Sequence, residues 1–363
     1  MKKMALEKMK RVMSILLIAI VALACGGAVV MAQPFFGKKA SGELLERIRK
    51  SPNYRDGAFR NEVETQTLTV SGWKMMRNMF KSHPNTKPSE PLPVVRTDLR
   101  VLPPDSNCIV WFGHSSYLLQ IDGKRILVDP VLVRASPVSF TTKPFKGTNL
   151  YRPEDMPAVD YVIVTHDHYD HLDYKTMKAL RDSIGHVVTP LGVGAHLEYW
   201  GFAPERVTDL DWYEHCSFAD GFTFHCTPTR HFSGRGKGSN QTLWGSFVIE
   251  TPSGLLIFVG GDGGYGPHFK HIGEQFPNID LALIENGQYD AMWPNIHTRP
   301  EELGQVMADL GARHYITVHH GKYALANHPW DEPLENERRA ATQTGSNLSV
   351  LTIGEVYPII TNK

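Results

Sequence analysis

The strongest constraint on the fold of this chain is a ten-residue stretch, VTHDHYDHLD at residues 164–173, which contains three histidines and three aspartates. The stretch follows directly from an apolar run, residues 161–164, of the kind that forms a buried strand. Its order His-x-His-x-Asp-His, at residues 166–171, puts ligand-type side chains into the loop after that strand. The fold must therefore hold the end of this strand at a site that uses imidazole and carboxylate groups.

Three more predicted strands are also followed by ligand-type residues. The residues are His231 after the strand at 222–227, Asp262 after the strand at 255–259, and the pair His319 and His320 after the strand at 315–318. Imidazole and carboxylate ligands without cysteine favour Zn²⁺ in an open catalytic site, with Mn²⁺ or Fe as alternatives. One tetrahedral ion needs three protein ligands and a water. The sequence therefore predicts two metal ions that share a bridging carboxylate, held by His166, His168, Asp170, His171, His231, Asp262 and one of His319 and His320.

From Cys108 onward, short apolar strands alternate with turn signals and a few helices. The predicted strands are 109–112, 117–121, 125–128, 161–164, 186–189, 207–210, 222–227, 244–250, 255–259, 281–284 and 315–318. Asp173 is expected to cap a helix over 174–182, and Thr298-Arg-Pro-Glu301 has the capping-box pattern for a helix that ends at Leu310. Because helices separate groups of strands, two sheets packed face to face with helices outside are expected.

The N-terminal residues 1–32 have the pattern of a targeting segment. Five basic residues precede an apolar stretch at 12–24, and small residues precede Gln33. A cleaved signal peptide, a retained membrane anchor and a lipid-modified Cys25 are the three alternatives. Each of them predicts that the folded part lies outside the cytoplasm, in the periplasm or at the outer surface. Lys plus Arg equals Asp plus Glu at 38 each, which argues against a nucleic-acid partner.

Residues 33–106 are expected to form an N-terminal arm that packs on a main domain at 107–363. The arm is rich in Lys, Arg and Pro, and its segment 73–80, WKMMRNMF, is expected to be a helical turn. This turn either docks on the main domain, which we favour, or forms one wall of a groove for an apolar ligand. Cys216 and Cys226 flank a turn, and they either pair as a disulfide or remain free thiols.

Several stretches of the chain resemble the metallo-β-lactamase-fold hydrolases. Within them the chain is similar to the N-acylphosphatidylethanolamine-hydrolysing phospholipase D group and its bacterial relatives. The resemblance covers about residues 65 to 335, and its matching stretches are Trp111-Phe-Gly-His-Ser-Ser116, Leu127-Val-Asp-Pro130, 165–174, Gly261-Asp-Gly-Gly-Tyr265, 297–302 and 319–326. It implies an α/β fold, a four-layer αββα sandwich with an N-terminal extension.

The resemblance also implies a role for each ligand-type residue. It assigns one zinc ion to His166, His168 and His231, the other to Asp170, His171 and His319, and the bridging position to Asp262. His319 is preferred over His320 because the ligand of the family precedes an aromatic-Gly pair. In this chain His320 takes the aromatic place before Gly321.

Other residues are implied by the resemblance to lie around the metals. Asp170 and His297 are expected closest to the chemistry, and His297 either contacts the phosphate or leaving group or caps the following helix. His114 and Asp129 are expected to orient ligand histidines. The candidate substrate pocket consists of Tyr289, Trp73 and Met76.

The chain departs from the resembled family at two places near the pocket. Gly263 follows Asp262 where Thr or Ser is usual, and Glu285-Asn-Gly-Gln-Tyr289 replaces a Pro-Ile-Gly-Ala-Tyr type of stretch. Neither place carries a metal ligand. These departures affect the expected substrate more than the expected hydrolysis.

The expected function is that of a dizinc phosphodiesterase of phospholipase D type. It would act on N-acylphosphatidylethanolamine-like lipids at a membrane surface, through a metal-bridging hydroxide. Hydrolysis of a lactone or other cyclic ester with the same metals is the alternative. A non-catalytic protein that binds zinc or lipid is a third interpretation, which a set of seven ligands makes less suitable.

Overall fold

Two seven-stranded sheets form the centre of the computed structural model, which describes residues 2–79, 83–138, 141–236 and 238–359. The strands are, in chain order, β1 Tyr54–Arg55, β2 Ala58–Phe59, β3 Cys108–Trp111, β4 Tyr117–Ile121, β5 Lys124–Val128, β6 Val159–Ile163, β7 Ile184–Pro190, β8 Val207–Leu210, β9 His215–Ser217, β10 Thr223–Thr227, β11 Ser246–Glu250, β12 Leu256–Val259, β13 Leu281–Glu285, β14 Tyr315–Val318, β15 Leu348–Ser349 and β16 Val356–Pro358. One sheet has the order β16-β3-β4-β5-β6-β7-β8 and the other β15-β14-β13-β12-β11-β10-β9, while β1 and β2 form a separate hairpin.

Helices after residue 107 cover the outer face of each sheet, and other helices precede them in the chain. In chain order, the helices are α1 Lys2–Met31, α2 Gly42–Lys50, α3 Gly72–Met79, α4 Tyr174–Leu180, α5 Gly194–Tyr199, α6 His268–Gln275, α7 Leu303–Leu310 and α8 Glu332–Thr344. Alternation along the strands produces the layers, because successive side chains point to opposite faces. Ile257 faces the other sheet, whereas Phe258 packs against α6 and α7. Leu118 likewise packs with α4 and α5, while Leu119 lies between the sheets. The expected four-layer αββα sandwich is confirmed.

Parallel pairing within each sheet brings the strand ends to one edge. Strands β5 to β8 are parallel to one another, and so are β12 to β15. In open α/β sheets, ligands bind outside the carboxyl ends of such strands. The loops after β6, β12 and β14 therefore leave the sheets where a ligand site is expected.

The predicted elements are present, with differences at their ends. Strand β6 begins two residues earlier than predicted, and β11 begins at Ser246 rather than Trp244. The predicted cap of α4 is confirmed, because the Asp173 side chain accepts hydrogen bonds from the amides of Lys175 and Thr176. The predicted capping box at Thr298 is wrong. Its hydroxyl donates instead to the carbonyl of Gly263, and α7 begins only at Leu303.

The segment 33–106 wraps around the two sheets. Ile48 of α2 and Phe59 of β2 are buried in the core between the sheets. The Trp73 side chain on α3 is 72% exposed, so this ring is not buried against the main domain. The docking of the turn 73–80 as a whole stays a prediction. The side chain of Met76 lies outside the described part of the structure.

The N-terminal residues form the helix α1. None of the helices that the structure describes is both long enough and apolar enough to cross a membrane. The role of this segment in export stays a prediction.

The cysteines of the β9–β10 hairpin are free thiols, so the disulfide alternative is wrong. In the register of the hairpin, Cys216 lies opposite Phe224 rather than Cys226. Burial raises the pKa of the Cys216 thiol to about 11. The second thiol, Cys226, is fully buried in the core between the sheets.

Candidate metal centre

The ligand-type residues of four strand ends meet in one cluster at the edge of the two sheets. They form overlapping groups, and within each group the ligand atoms all lie within 4.8 Å of one another. Most of the side chains are buried, and only His168 and Asp170 are partly exposed. The cluster includes His166, His168, Asp170, His171, His231, Asp262 and His319.

His166, His168 and His231 converge as a first group. The Nδ1 atom of His168 lies 2.9 Å from Nε2 of His166 and 3.3 Å from Nε2 of His231. Nδ1 of His231 donates to the carbonyl oxygen of Ile296 at 2.7 Å. Nε2 of His231 therefore carries no proton and has a free lone pair. Thr165 Oγ1, which donates to Asp129, accepts from Nδ1 of His166 in the same way. Converging lone pairs of this kind fit a bound cation.

Asp170, His171 and His319 form a second group beside the first. His171 Nε2 lies 3.6 Å from Asp170 Oδ2, and it is buried without a hydrogen-bond partner among the described residues. Its Nδ1 is held 2.7 Å from Asp129 Oδ2, so the ring orientation is fixed. A buried nitrogen without a partner is costly, and a metal ion at Nε2 would remove that cost.

Asp262 lies between the two groups. Its Oδ2 is 3.1 Å from His171 Nε2 and 3.9 Å from Nε2 of both His166 and His231. Its Oδ1 is 3.0 Å from His319 Nδ1, yet makes no hydrogen bond within the described ranges. One carboxylate therefore reaches both groups, as a bridging ligand must. This nitrogen and oxygen donor set suits zinc.

Burial determines the protonation of these side chains. It lowers the pKa of His168 to about 4 and the pKa values of His166 and His231 well below their ordinary range. Burial also raises the pKa of Asp262 to about 6. Burial opposes the charge on His171, but the carboxylates beside it raise its pKa well above the ordinary value. The first group is therefore neutral at pH 7, which is the form that binds metals.

The structure separates His319 from His320. The ring of His319 lies beside Asp262, and its Nδ1 is 2.8 Å from the hydroxyl of Ser115. The ring of His320 instead packs against Trp111 at 5.0 Å, and its Nε2 bonds to Thr317 Oγ1 at 3.1 Å. The backbone of His319 has φ 70°, so the chain has already left the extended conformation at this residue. A turn, rather than strand alternation, sends the two rings to different sides.

The two residues expected to orient ligand histidines differ in their contacts. Asp129 bonds to His171 and accepts from the amide of Thr165 at 2.8 Å, as expected. The carbonyl oxygen of His114 accepts a hydrogen bond from the amide of His319 at 3.0 Å, so His114 contacts a ligand histidine through its backbone rather than through a ring nitrogen. Its Nε2 is 2.9 Å from Asp170 Oδ2, and its ring packs on His319 at 4.1 Å.

His297 lies inside the cluster and does not cap a helix. Its Nδ1 is 2.9 Å from Oε2 of Glu285, and α7 begins six residues later, at Leu303. Glu285 was not predicted from the sequence as a site residue. The rule that located the other ligand-type residues, a polar residue directly after an apolar strand, also points to it, because it follows Ile284.

Asn61 of the arm was also missed. Its side chain accepts a hydrogen bond from the amide of His231 and donates one to its carbonyl oxygen at 2.8 Å. The two residues are 170 positions apart, and no local pattern marks Asn61. The arm therefore holds the backbone of a ligand residue in place.

Tyr289 and Trp73 do not reach the cluster. The hydroxyl of Tyr289 donates to Glu332 at 2.9 Å, and its ring stacks on His328 at 4.3 Å, so it faces α8. Trp73 is largely exposed, and within the described part of the chain its side chain contacts no ligand residue. The candidate pocket proposed from the sequence is therefore not assembled by these two side chains.

Known proteins are similar to this chain in sequence and in fold. Residues 124–320 match the family model described as a beta-lactamase superfamily domain. An uncharacterised protein of Mycobacterium tuberculosis is 38% identical over 304 residues, which cover 80% of each chain. The N-acyl-phosphatidylethanolamine-hydrolyzing phospholipase D 1 of Caenorhabditis elegans is 32% identical over 59% of this chain and 64% of its own. A possible metal-dependent hydrolase from Veillonella parvula has a similar structure, with a TM-score of 0.56 and 17% identity over 70% of this chain and all of its own.

Proposed function

This chain belongs to the metallo-β-lactamase superfamily and is a metal-dependent hydrolase, and we propose that it is a dizinc phosphodiesterase that cleaves N-acylphosphatidylethanolamine-like lipids. The bond broken would be the phosphorus–oxygen bond to the N-acylethanolamine. Water supplies the new oxygen on phosphorus, and the alcohol leaves with a proton. The products would be phosphatidic acid and an N-acylethanolamine.

The observation that carries the proposal is the arrangement of two ligand groups around one carboxylate. Asp262 lies within 3.9 Å of His166 and His231 of the first ligand group and of His171 of the second. Both groups can therefore share its carboxylate. Two bound ions would supply a nucleophile at neutral pH and charge stabilisation of the attacking and leaving oxygens. The residues of the chain hold these ions in place and keep the site largely buried.

The position of His297 supports a phosphodiester substrate rather than metal binding alone. Its ring stacks on His319 at 5.2 Å and lies edge-on to His231 at the same distance. It therefore contacts a residue of each ligand group, where a substrate held between the groups would lie. A histidine at this position can donate to a phosphoryl or leaving-group oxygen.

Exposed apolar side chains near the centre support a lipid substrate. Val131, Ala135 and Tyr323 form one buried cluster that joins the loop after β5 to the segment after His319. Val133 and Leu325, next to this cluster in the chain, are 46% and 36% exposed. Both exposed side chains are therefore available for contact with an apolar substrate.

The similarity to the worm phospholipase D supports the same substrate class. It covers less than two thirds of the length of that enzyme, so the activity of the whole enzyme is a proposal for this chain. The basic and apolar residues of the N-terminal segment support an extracytoplasmic location, in contact with a membrane.

Metal-dependent turnover tests the function directly. Zinc-loaded protein should release N-acylethanolamine from phosphatidylcholine vesicles that contain N-acylphosphatidylethanolamine, and the Asp170→Ala variant should not. A panel of lactones is assayed in parallel. If the protein hydrolyses lactones and leaves the lipid intact, it is a lactone hydrolase instead. If it hydrolyses neither substrate, both functions are refuted.

The location is tested with a reporter fused after Gly37. An alkaline phosphatase reporter folds only outside the cytoplasm, and it should be active there. If only a reporter that works in the cytoplasm is active when fused at the same position, export is refuted.

A further inference from the structure

The side chain of Gln288 is buried and makes four hydrogen bonds to the segment that follows β14. Gln288 itself comes after β13 and is 4% exposed. Its Oε1 accepts from the amides of Leu325 at 2.8 Å and Ala326 at 3.0 Å. Its Nε2 donates to the carbonyl oxygens of His319 at 3.3 Å and Tyr323 at 3.1 Å. Both lone pairs and both protons of the side-chain amide are therefore used.

The contacted segment, residues 319–326, contains neither helix nor strand. Its backbone polar groups therefore need partners from elsewhere, and Gln288 satisfies four of them. Two N–H groups face one end of the glutamine amide and two carbonyl oxygens face the other, so the flipped amide would oppose like groups. The resembled Pro-Ile-Gly-Ala-Tyr stretch has Ala at this place, which offers no such bonds. The contact is a feature of this chain.

The two ends of the segment are held differently. The amide of His319 also donates to the carbonyl oxygen of His114 at 3.0 Å, and its Nδ1 lies 2.8 Å from the hydroxyl of Ser115. The amide of Leu325 has no hydrogen-bond partner other than Gln288 within the described part of the chain. Without Gln288, the histidine end would keep its contacts, whereas the leucine end would lose the bond that holds its backbone.

Leu325 is an exposed apolar residue beside the metal centre. One glutamine amide reaches both the amide of Leu325 and the carbonyl oxygen of His319, so the two backbones lie close together. Tyr323, two residues earlier, places its ring edge-on to His114 at 5.2 Å. The side chain of Leu325 is 36% exposed. An apolar side chain at this place can cover hydrocarbon and remove it from water, which is favourable.

We propose that Gln288 is a specificity-determining positioning residue that fixes Leu325 as a wall for the acyl chain of the substrate. The inference rests on the proposed phosphodiesterase function and names the part of the lipid that this wall contacts. A wall that is ordered before the lipid arrives lowers the entropic cost of binding. The metals and the reacting phosphate need His319 but not Leu325. Gln288 therefore contributes to binding of the chain rather than to the breaking of the bond.

The first test uses full-length, zinc-loaded protein and two substrates, the N-acyl lipid and a bis-nitrophenyl phosphate that has no acyl chain. Gln288→Ala removes the four bonds, whereas Leu325→Ala removes the wall and keeps them. Asn286→Ala is the matched control. Asn286 is a buried amide of the same stretch, and its Nδ2 donates to the carbonyl oxygen of Pro333 in α8 at 2.7 Å. Its side chain makes no hydrogen bond to residues 319–326 in the described ranges.

Gln288→Ala should keep both metals and raise KM for the lipid about tenfold, as expected when contact with one leucine-sized side chain is lost. For both substrates kcat should stay within about twofold, because the reacting centre is intact. Leu325→Ala should have the same effect, and the double variant should lose little more, since Gln288 acts through Leu325. Asn286→Ala should match the wild type. Loss of a metal ion, equal losses on both substrates, or an unchanged KM in Leu325→Ala would overturn the proposal.

The second test needs no turnover and compares the binding of dodecyl phosphate and ethyl phosphate by calorimetry, below the concentration at which micelles form. The wild type should bind the long-chain phosphate more tightly. In Gln288→Ala this preference should fall about tenfold, and in Asn286→Ala it should remain. A wild type without the preference, or a preference that Gln288→Ala leaves unchanged, would overturn the proposal. If the preference depends on Gln288 and the wild type cleaves no lipid, the wall is supported and the phosphodiesterase function is refuted.

Discussion

At the scale of single residues, two adjacent histidines have different environments although they follow the same strand. His319 has a positive φ, which is uncommon for a residue other than glycine and marks a local turn. The turn directs its ring to Asp262, while the ring of His320 fills space against Trp111. One residue is thus available as a ligand and the other contributes to packing.

The first prediction follows from this difference. His319→Ala should abolish turnover and weaken binding of the second metal, because a ligand nitrogen is lost. His320→Phe should keep both metals and substantial activity, since an aromatic ring can retain the contact with Trp111. Metal analysis and kcat of both variants check this. Loss of a metal in His320→Phe but not in His319→Ala would reverse the assignment.

At the scale of elements, hydrogen bonds join the arm and the loops to other segments, and those of the arm reach a ligand residue. The arm contributes Asn61, which makes two hydrogen bonds to the backbone of His231. Strand β8 contributes Asp209, whose Oδ1 accepts from the amides that begin α5, at 2.6 Å from Gly192 and 3.1 Å from Gly194. Both contacts join segments that are distant in the sequence.

The second prediction concerns the arm. Asn61→Ala should weaken metal binding by about 10–100-fold, since groups that orient a ligand typically contribute that much. Competition with a chelator measures the affinity. Asn53→Ala is the control, because Asn53 also joins the arm to the main domain, through Asp211, and contacts no ligand residue. Equal effects of the two variants would contradict a specific role for Asn61.

The third prediction concerns the pH dependence of stability. Burial raises the pKa of Asp209 from 3.8 to about 6. The stabilisation of its protonated form is therefore present below pH 3.8 and is lost as pH rises through about 6. Asp209→Asn keeps the acceptor oxygen and removes the charge. Its free energy of unfolding relative to wild type should rise by about 2.5 kcal/mol between pH 4 and 8.

Denaturant unfolding at several pH values checks the third prediction. The difference between the two proteins isolates Asp209 from all other titrating groups. A difference that is constant across this range would show that Asp209 is ionised at low pH in the folded protein.

At the scale of the whole molecule, the metal centre joins the two sheets. Its ligands come from loops after β6 in one sheet and after β10, β12 and β14 in the other. Bound ions would therefore connect the two halves of the sandwich. Ions that bind only the folded state stabilise it by mass action.

The fourth prediction concerns metal removal. The purified protein should contain close to two ions per chain, and a chelator should lower Tm, which added zinc restores. Asp170→Ala should reduce the metal content. A reproducible content near one ion that Asp170→Ala leaves unchanged would rule out two ions.

Much of the sheet architecture could be predicted from the sequence because its signals are local. Apolar runs and turn residues located the strands, and a polar residue after an apolar run located the ligand-type side chains. The ends of the elements depend on contacts with other segments. Thr298, for example, has a capping pattern, but its hydroxyl bonds to Gly263 of another segment. Hydrogen bonds with distant partners override such local preferences.

The sequence by itself determined which residues could bind metals and which strands would carry them, since both depend on residue type and short-range order. Only the tertiary structure decided how they are held. The bonds of Glu285 to His297, of Asn61 to His231 and of His114 to Asp170 each join separate loops. Likewise the exposure of Trp73 and the orientation of Tyr289 toward α8 could not be predicted from the sequence. Such contacts depend on where distant segments meet after the sheets pack, and no periodicity within one segment encodes that position.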